Sequence, residues 1–265
     1  MKISVIIPNY DDTRIERALL SVRNQDYKNI QIIVVHGGPL TFELQDIYKK
    51  YAVDNLINEP DNGIFDALNK GVRYVSGDVV YLLGSDDYLS DNTIFSSVYD
   101  KFQSNAALDG VCIGCIFVTS DGTIIRKWFP PRVTAKRIKI GLFPPHFSLF
   151  LKRDVYDLVG PFKSSVSSNI ATDIMWLLDF AIKKPKFQIN TLLQYHLNME
   201  YGGASTRSFK IVWKQFKVVH RYAAANKENL PFWYFFSLVR TGSKLFQIRI
   251  WEFVMELLKI KKNNI

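Results

Sequence analysis

The sequence has only two cysteines among its 265 residues, Cys112 and Cys115. Two thiols cannot form a disulfide framework or a four-thiolate zinc site, so both classes of protein are excluded. Both cysteines lie in an apolar stretch, residues 110–118, that predicts a strand. A redox pair normally opens a helix and exposes one activated thiol, so we interpret these two residues as small buried side chains.

Long apolar runs and glycine-rich nucleotide loops are missing as well. No segment approaches the roughly 20 apolar residues of a membrane-spanning helix, and the apolar stretch after Met1 is too short for a signal peptide. These two absences predict a cytoplasmic protein. The absence of a Gly-x-Gly-x-x-Gly motif argues against a dinucleotide-dependent oxidoreductase.

Acidic residues are in the minority, since 25 Asp and Glu stand against 34 Lys and Arg, for a formal net charge of +9. This balance favours an anionic partner: a nucleotide, a phospholipid surface or a nucleic acid. Hydrophobic residues make up 48% of the chain and charged residues 22%, so we expect a globular protein with a sizeable core.

Strands and helices alternate in the first hundred residues. Strands are predicted over Ile3–Ile7, Ile30–Val35, Asn55–Asn58 and Val79–Leu83. The helices between them are one capped by Asp12, then Phe42–Tyr51 and Ile64–Val75. This α/β pattern predicts a Rossmann-like, mostly parallel sheet flanked by helices. Ligands of such sheets bind at the carboxyl ends of the strands.

The pattern changes from Gly110 onward. Residues 112–118 and 123–128 predict a hairpin around the turn Ser120-Asp121-Gly122. A further strand is predicted over residues 146–151 and a helix over residues 173–182.

Two adjacent carboxylates, Asp86 and Asp87, follow the apolar strand at Val79–Leu83. Like charges side by side repel each other unless a cation or hydrogen-bond donors neutralise them. Oxygen ligands of this kind suit Mg²⁺ or Mn²⁺, usually with substrate phosphates that complete the coordination shell. Gly-Ser-Asp-Asp is also good turn chemistry, and the two residues alone do not decide between these interpretations.

Several segments together resemble glycosyltransferase family 2, the inverting sugar transferases with the GT-A fold. The matching segments are residues 4–10 (SVIIPNY), 21–27 (SVRNQDY), 59–71 (EPDNGIFDALNKG), 77–78 and 85–87 (GD and SDD), 146–150 (HFSLF), 171–173 (ATD) and 202–205 (GGAS). The resemblance implies a GT-A domain over residues 1–206, with a nucleotide-sugar-binding half at about 1–105 and an acceptor-side half at 106–206. Residues 207–265 would form a helical, basic and aromatic extension.

The resemblance also implies roles for individual residues. Asp87, with Asp86, would hold a Mg²⁺ or Mn²⁺ that bridges the two phosphates of the donor, and Asp173 would be the general base that deprotonates the acceptor hydroxyl. The candidate nucleotide-sugar contacts are Pro8, Asn9, Tyr10, His36, Asp66, Asn69 and Asp86.

Structural roles compete with several of these assignments. Tyr10 could be an aromatic core residue, Asp66 a first-turn acid favoured by the helix dipole, and Asp173 a helix cap. The chain also departs from the family twice. His36 stands where an acidic residue that binds the base is usual, and Met175 replaces a second aspartate found in many relatives.

The tail is basic and aromatic, with Lys and Arg concentrated around residues 210–221 and 259–262. Residues 244–260 predict an amphipathic helix. This helix could bind the anionic inner face of the cell membrane, or it could pack on the domain or on a second subunit in a homodimer. Nucleic acid is not expected as a partner, because the basic residues alternate with a wide apolar face.

The resemblance therefore implies an inverting, metal-dependent glycosyltransferase of cell-surface polysaccharide synthesis. Its donor would be a nucleotide-sugar, with a UDP-sugar favoured, and its acceptor a saccharide or a lipid-linked saccharide. One alternative is a nucleotidyltransferase of sugar activation, although the chain lacks the glycine-rich, basic loop expected after the first strand. The other is a non-catalytic saccharide- or partner-binding protein that kept the GT-A fold.

Overall fold

A computed structural model of the chain describes residues 1–130, 132–163, 171–200, 209–225 and 242. The strands are β1 (Ile3–Asn9), β2 (Ile30–His36), β3 (Asn55–Asn58), β4 (Val79–Leu82), β5 (Tyr88–Leu89), β6 (Gly110–Val118), β7 (Ile124–Trp128), β8 (Leu149–Lys152) and β9 (Ile189–Glu200). The helices are α1 (Ile15–Arg23), α2 (Phe42–Lys50), α3 (Ile64–Val72), α4 (Ile94–Ser104), α5 (Ala135–Lys139), α6 (Arg153–Val159), α7 (Thr172–Lys183) and α8 (Phe209–Ala225), with a short 3₁₀ helix at His146–Ser148.

The nine strands of the described residues belong to one sheet, in the order β3-β2-β1-β4-β8-β6-β9-β5, with β7 paired to β6. The first four strands are parallel, as the alternation of strands and helices predicts. The second half is mixed: β8 runs antiparallel to both β4 and β6, and β6 is parallel to β9 but antiparallel to β7. The β6–β7 pair is antiparallel because only a short turn joins the two strands, whereas a parallel crossover needs a dozen or more residues.

The core lies on both faces of the sheet. Every residue of β1 is buried, and its side chains alternate: Ile6 belongs to one core cluster, Val5 and Ile7 to the other. Helices cover both clusters, which explains why these strands are continuous apolar runs rather than alternating ones.

The two halves of the sheet meet where β4 pairs with β8. Tyr81 and Phe150 are opposite each other in the register, and their rings are stacked with centroids 3.9 Å apart. Phe95 of α4 packs edge-on against both rings. A second link joins α3 to the loop before α7, since the Asn69 amide makes two hydrogen bonds of 2.8 Å to the backbone of Phe162.

Three local predictions differ from the structure. Helix α1 has Arg14 rather than Asp12 at its N-cap, and the Asp12 carboxylate instead accepts a hydrogen bond from the Arg14 backbone amide at 3.0 Å. Helix α3 ends at Val72, three residues earlier than predicted. Residues 146–148 form the 3₁₀ helix, and the strand predicted over 146–151 begins only at Leu149.

The extension begins with α8, which packs on α7. The Tyr222 hydroxyl donates to Asp179 at 2.6 Å, and Lys163 binds both groups, at 2.7 Å from the Tyr222 oxygen and 2.9 Å from Asp179. The amphipathic helix predicted over residues 244–260 lies outside the described residues. Within the described ranges, every helix is too short or too polar to cross a bilayer.

Candidate functional site

The two carboxylates lie directly after β4, on the edge formed by the carboxyl ends of the parallel strands. Asp87 is only 5% exposed, and Asp86 is half-buried. Both side chains converge above Gly84: a Cβ atom on this glycine would lie 2.7 Å from Asp87 Oδ2 and 3.0 Å from Asp86 Oδ1. The glycine therefore leaves the space in which the two carboxylates face each other.

Burial and mutual repulsion both disfavour the charged form of this pair. Burial raises the pKa of Asp87 to about 8, and the neighbouring Asp86 carboxylate contributes in the same direction. Burial also raises the pKa of Asp86. Two converging carboxylates with raised pKa values form a site that a cation would stabilise.

This donor set fits Mg²⁺ or Mn²⁺. Both ions take oxygen ligands, and Mg²⁺ is commonly held by one or two carboxylates while waters and substrate phosphates complete the octahedron. The residues that the structure describes contain no group of three or more His, Cys, Asp or Glu side chains able to hold a metal. Asp86 and Asp87 would thus supply the protein ligands, and the space above Gly84 is where they converge.

The end of β9 supports the carboxylate pair. The Glu200 backbone amide donates to Asp87 Oδ1 at 3.0 Å, and the Glu200 carboxylate accepts hydrogen bonds from Arg14 at 2.5 Å and Arg17 at 3.1 Å. Arg17 also donates to the Asp86 carbonyl at 2.7 Å, and its guanidinium lies 4.2 Å from the centroid of the Tyr88 ring. No sequence motif identifies Arg14, Arg17 or Glu200 as part of the site. The sequence shows only that the two arginines are three residues apart at the start of α1.

The next strand end holds a buried chain of hydrogen bonds. The Asn9 amide donates to the Tyr48 hydroxyl at 2.7 Å, which lies 3.1 Å from His36 Nδ1, while His36 Nε2 lies 3.0 Å from the Pro39 carbonyl. A carbonyl only accepts, so Nε2 carries the proton, and Nδ1 accepts from Tyr48. Burial raises the pKa of Tyr48 to about 12, which keeps that hydroxyl protonated.

This chain corrects the role proposed for His36. The imidazole is fully buried and both nitrogens are engaged, so it is not available to contact a nucleotide base. Its function here is to hold Tyr48 and, through it, Asn9. Asn9 is itself 3% exposed, and its Oδ1 has no hydrogen-bond partner among the residues that the structure describes. Pro8 is buried within β1 opposite Val35, so it shapes the strand end rather than a ligand surface.

Tyr10 and Asp61 lie at the accessible part of this edge. Tyr10 is 68% exposed, which excludes the core role considered for it. The Asp61 carboxylate accepts a hydrogen bond from the Gly63 amide at 2.8 Å, and its other oxygen would lie 1.8 Å from a Cβ on Gly37. A Cβ at position 37 would displace the Asp61 carboxylate, and Asp61 brings an acid to the loop after β2, where the sequence has none.

Helix α3 carries the two remaining nucleotide candidates, Asp66 and Asn69, and their contacts in the structure differ. Asp66 is half-buried in the first turn, accepts from the Asn62 amide at 3.0 Å and lies 3.5 Å from Lys70 Nζ, as expected of an acid at a helix start. Asn69 uses both ends of its amide to bind the Phe162 backbone. The assignment of Asn69 to the nucleotide is therefore corrected: it joins two parts of the fold.

Asp173, the candidate base, is half-buried in the first turn of α7. The preceding N-cap residue, Ala171, has a left-handed backbone with φ of 84°. The backbone of Asp173 faces His146, a buried imidazole whose ring lies 5.1 Å from that of Trp176. Burial lowers the pKa of His146 to about 3, so the ring is neutral and packs as part of the core.

Residues 4–159, more than half of the chain, match the model described as "Glycosyl transferase family 2". The "Uncharacterized glycosyltransferase EpsJ" of Bacillus subtilis is 29% identical over 140 residues, which cover 51% of this chain and 39% of that protein. The "Minor teichoic acid biosynthesis protein GgaB" of the same organism is 26% identical over 220 residues, 76% of this chain and 23% of that protein. The chain thus spans less than half the length of either relative.

Solved structures share the fold. S. aureus TarS 1–349 in complex with UDP superposes with a TM-score of 0.61 at 18% identity, over 84% of this chain and 65% of that chain. The mannosyltransferase PcManGT from Pyrobaculum calidifontis, in complex with GDP-Man and Mn²⁺, superposes with a TM-score of 0.62 at 15% identity, over 94% of this chain and 73% of that chain. At these identities the likeness concerns the fold alone.

Proposed function

The chain belongs to glycosyl transferase family 2, and we propose that it is an inverting, metal-dependent glycosyltransferase that moves a sugar from a nucleotide-sugar donor to a saccharide or lipid-linked acceptor. The observation that carries this proposal is the convergence of Asp86 and Asp87 above Gly84, at the carboxyl end of β4. Nucleotide ligands bind at this edge in α/β sheets, and a diphosphate needs a cation there.

The bound cation would supply Lewis-acid stabilisation of the negative charge that develops on the departing nucleoside diphosphate. Asp87 and Asp86 would hold it. The buried Asp87 carboxylate is kept in one orientation by the Glu200 amide, so little reorganisation would be needed when donor binds.

Tyr10 and Asp61 are our candidates for the nucleotide end of the donor. Tyr10 is an exposed aromatic ring on the same edge, suited to stacking on a base, and Asp61 has a carboxylate beside Gly37. Asn9 and Asp66 remain nucleotide candidates. UDP, UDP-GlcNAc and GDP-Man are the ligands of structural neighbours, and a UDP-sugar is the donor we favour for this chain.

Asp173 is our candidate base. In an inverting displacement the acceptor hydroxyl oxygen forms a bond to the anomeric carbon while the bond from that carbon to the diphosphate oxygen breaks. The hydroxyl proton passes to a carboxylate on the acceptor side, and no enzyme nucleophile is needed. A half-buried aspartate in the first turn of α7 suits this role.

We place the reaction in cell-surface polysaccharide synthesis, in line with the teichoic acid pathway named for one relative. We propose that residues 1–206 form the catalytic domain. We also propose that the extension, residues 207–265, contacts the inner face of the cell membrane. Because α8 packs on α7 through Tyr222, at least the start of the extension would be part of the domain surface.

The decisive experiment is a screen of uridine, guanosine and thymidine diphosphate sugars for Mn²⁺-dependent release of nucleoside diphosphate. We expect release from at least one donor, and loss of release on addition of EDTA. Binding of a nucleoside diphosphate without any turnover, with every acceptor tried, would favour a non-catalytic sugar-binding protein. Release of pyrophosphate from a nucleoside triphosphate and a sugar phosphate would instead identify a nucleotidyltransferase.

A further inference from the structure

Glu200, the last residue of β9, is bound by two arginines from the start of α1. Its side chain is only 10% exposed. Each carboxylate oxygen accepts from a different guanidinium, Oε1 from Arg14 at 2.5 Å and Oε2 from Arg17 at 3.1 Å. Arg14 is held in turn by the Asp12 carboxylate, to which it donates three hydrogen bonds of 2.6–3.1 Å. The Glu200 carboxylate is thus bound from two sides.

Arg17 also contacts the segment that carries the carboxylate pair. The nitrogen that binds Glu200 donates to the Asp86 carbonyl at 2.7 Å, and the guanidinium lies 4.2 Å from the centroid of the Tyr88 ring. Tyr88 is paired with Asn198 in an antiparallel register. Continued by two residues, this register places Asp86 opposite Glu200, and Arg17 joins the two.

The Glu200 amide completes a ring of contacts around Asp87. It donates to Asp87 Oδ1 at 3.0 Å, while the carboxylate of the same residue is held by Arg17. The other oxygen, Asp87 Oδ2, is the one that converges with Asp86 Oδ1 above Gly84. The amide therefore occupies one oxygen of Asp87 and leaves the other directed at the space between the two carboxylates.

Electrostatics alone does not explain an acid at position 200. Burial is the main cause that raises the pKa of Asp86 and of Asp87, and the Glu200 charge acts in the same direction on both. A third negative charge beside this pair is unfavourable by itself. A neutral side chain would avoid that repulsion, but it could not form ion pairs with Arg14 and Arg17.

We propose that Glu200 is a positioning residue of the metal site. Bound by Arg14 and Arg17, it fixes the end of β9, and its amide then keeps Asp87 Oδ1 occupied and Oδ2 available to the cation. This inference rests on the proposed function, in which Asp86 and Asp87 hold the metal, and adds residues that set its affinity. Groups that orient a metal ligand commonly control metal affinity although they do not touch the metal.

The test compares MnCl₂ affinity, measured by calorimetry on the full chain, in wild type, Glu200→Gln and Arg17→Gln. The two possible roles of Arg17 predict changes of opposite sign. If Arg17 were only a counter-charge, its removal would make the site more negative, and Mn²⁺ would bind more tightly. If it positions Asp87 through Glu200, Mn²⁺ binds more weakly although the site has become more negative.

The matched control is Glu16→Gln, which removes an exposed glutamate of α1 whose ion-pair partner is Lys50, at 2.7 Å. Thermal unfolding in EDTA checks that each variant is folded. Should Arg17→Gln fail to fold, Arg14→Gln replaces it with the same expected sign, since the Arg14 side chain is 48% exposed.

We expect roughly tenfold weaker Mn²⁺ binding by Glu200→Gln and by Arg17→Gln, and wild-type affinity in the control. The double variant should bind no more weakly than the weaker single variant, because both changes break the same link. Tighter binding by Arg17→Gln would overturn the proposal, as would wild-type affinity in Glu200→Gln. Additive losses in the double variant, or an equal loss in the control, would do the same.

Wild-type binding separates this inference from the proposed function. If wild-type protein binds no Mn²⁺, with or without UDP, the metal dependence in the proposed function is wrong, and this inference is wrong with it. If wild type binds Mn²⁺ and both single variants bind it equally well, the proposed function remains and only the positioning role of Glu200 is wrong.

Discussion

The backbone amide of Glu200 donates a hydrogen bond to Asp87 Oδ1 over 3.0 Å, although 113 residues separate the two in the chain. Arg14 and Arg17 bind the Glu200 carboxylate in turn, so the end of β9 is attached to both α1 and the carboxylate pair. The candidate metal site is therefore assembled from three distant parts of the sequence, and its formation reports on the whole fold.

Asp87→Asn should abolish the response to metal. An amide cannot balance the charge of a cation, so we expect at least about a 100-fold loss of turnover and loss of thermal stabilisation by MnCl₂. Asp100→Asn, at an exposed carboxylate on α4, is the matched control. Stabilisation of Asp87→Asn by Mn²⁺ to the wild-type extent would show that this carboxylate is not a ligand.

The pH dependence of unfolding should reveal the buried carboxyl of Asp87. Its folded-state pKa of about 8 lies above the ordinary value of 3.8, so at intermediate pH the folded state binds more protons than the unfolded chain. This group's contribution to the stability of metal-free protein is therefore full below the ordinary pKa and is lost as the pH rises towards 8.

Measured in EDTA between pH 5 and 9, the Tm advantage of Asp87→Asn over wild type should grow with pH and level off above about 8. Saturating MnCl₂ should reduce or reverse this advantage, since the cation neutralises the carboxylates. A pH-independent difference would mean that the Asp87 pKa is not raised.

Gly84→Ala should displace the two carboxylates. The added Cβ would lie 2.7 Å from Asp87 Oδ2, too close for a non-bonded contact, so we expect at least tenfold weaker Mn²⁺ binding by titration. Gly38→Ala is the control, because a Cβ there meets its nearest atoms at 3.6 Å. Unchanged affinity in Gly84→Ala would indicate that Mn²⁺ binds elsewhere.

Asp173→Asn should impair proton transfer and leave donor binding intact. Loss of a general base typically costs about 10²–10⁴-fold in rate, so transfer to acceptor should fall by that factor. Nucleoside-diphosphate affinity, measured by calorimetry, should stay at the wild-type value. Near-normal transfer by this variant would assign Asp173 to helix capping.

Tyr48→Phe should destabilise the protein through its buried hydrogen bonds. It removes the hydroxyl that links Asn9 to His36, and each buried polar group left without a partner costs about 1–3 kcal/mol. Tyr51→Phe, whose hydroxyl binds the surface residue Glu16, should change the free energy of unfolding by less than about 0.5 kcal/mol. Urea denaturation of both variants measures the difference.

The first four strands and their helices could be predicted because their side chains follow simple rules. Buried parallel strands appear as continuous apolar runs, and the polar residues that follow them meet at one edge. Asp86, Asp87 and Tyr10 lie on that edge for this reason. The position of a residue in a strand-end loop does not reveal its contacts, however, and so His36 and Asn69 were assigned to a ligand when they bind Tyr48 and Phe162 instead.

The features of the site that could not be predicted from the sequence depend on contacts between distant segments. Nothing near Glu200 in the sequence indicates that its amide binds Asp87. The loop after β2 contains no acidic residue, but the fold places the Asp61 carboxylate beside Gly37 of that loop. Residues 122–153 contain no Asp or Glu, which is visible in the sequence. That β7 lies two strands from β9, whose last amide binds Asp87, follows only from the register.

The seam between β4 and β8 has a consequence for how the chain must be made. Val79 pairs with Lys152 and Tyr81 with Phe150. During synthesis, about seventy further residues must therefore be added before β8 can pair with the edge of β4 that faces away from β1. Until then a fully buried strand exposes open backbone groups, the usual template for aggregation. Residues 1–105 are thus a half of the fold but not an independent unit, and truncation at that point would produce aggregates.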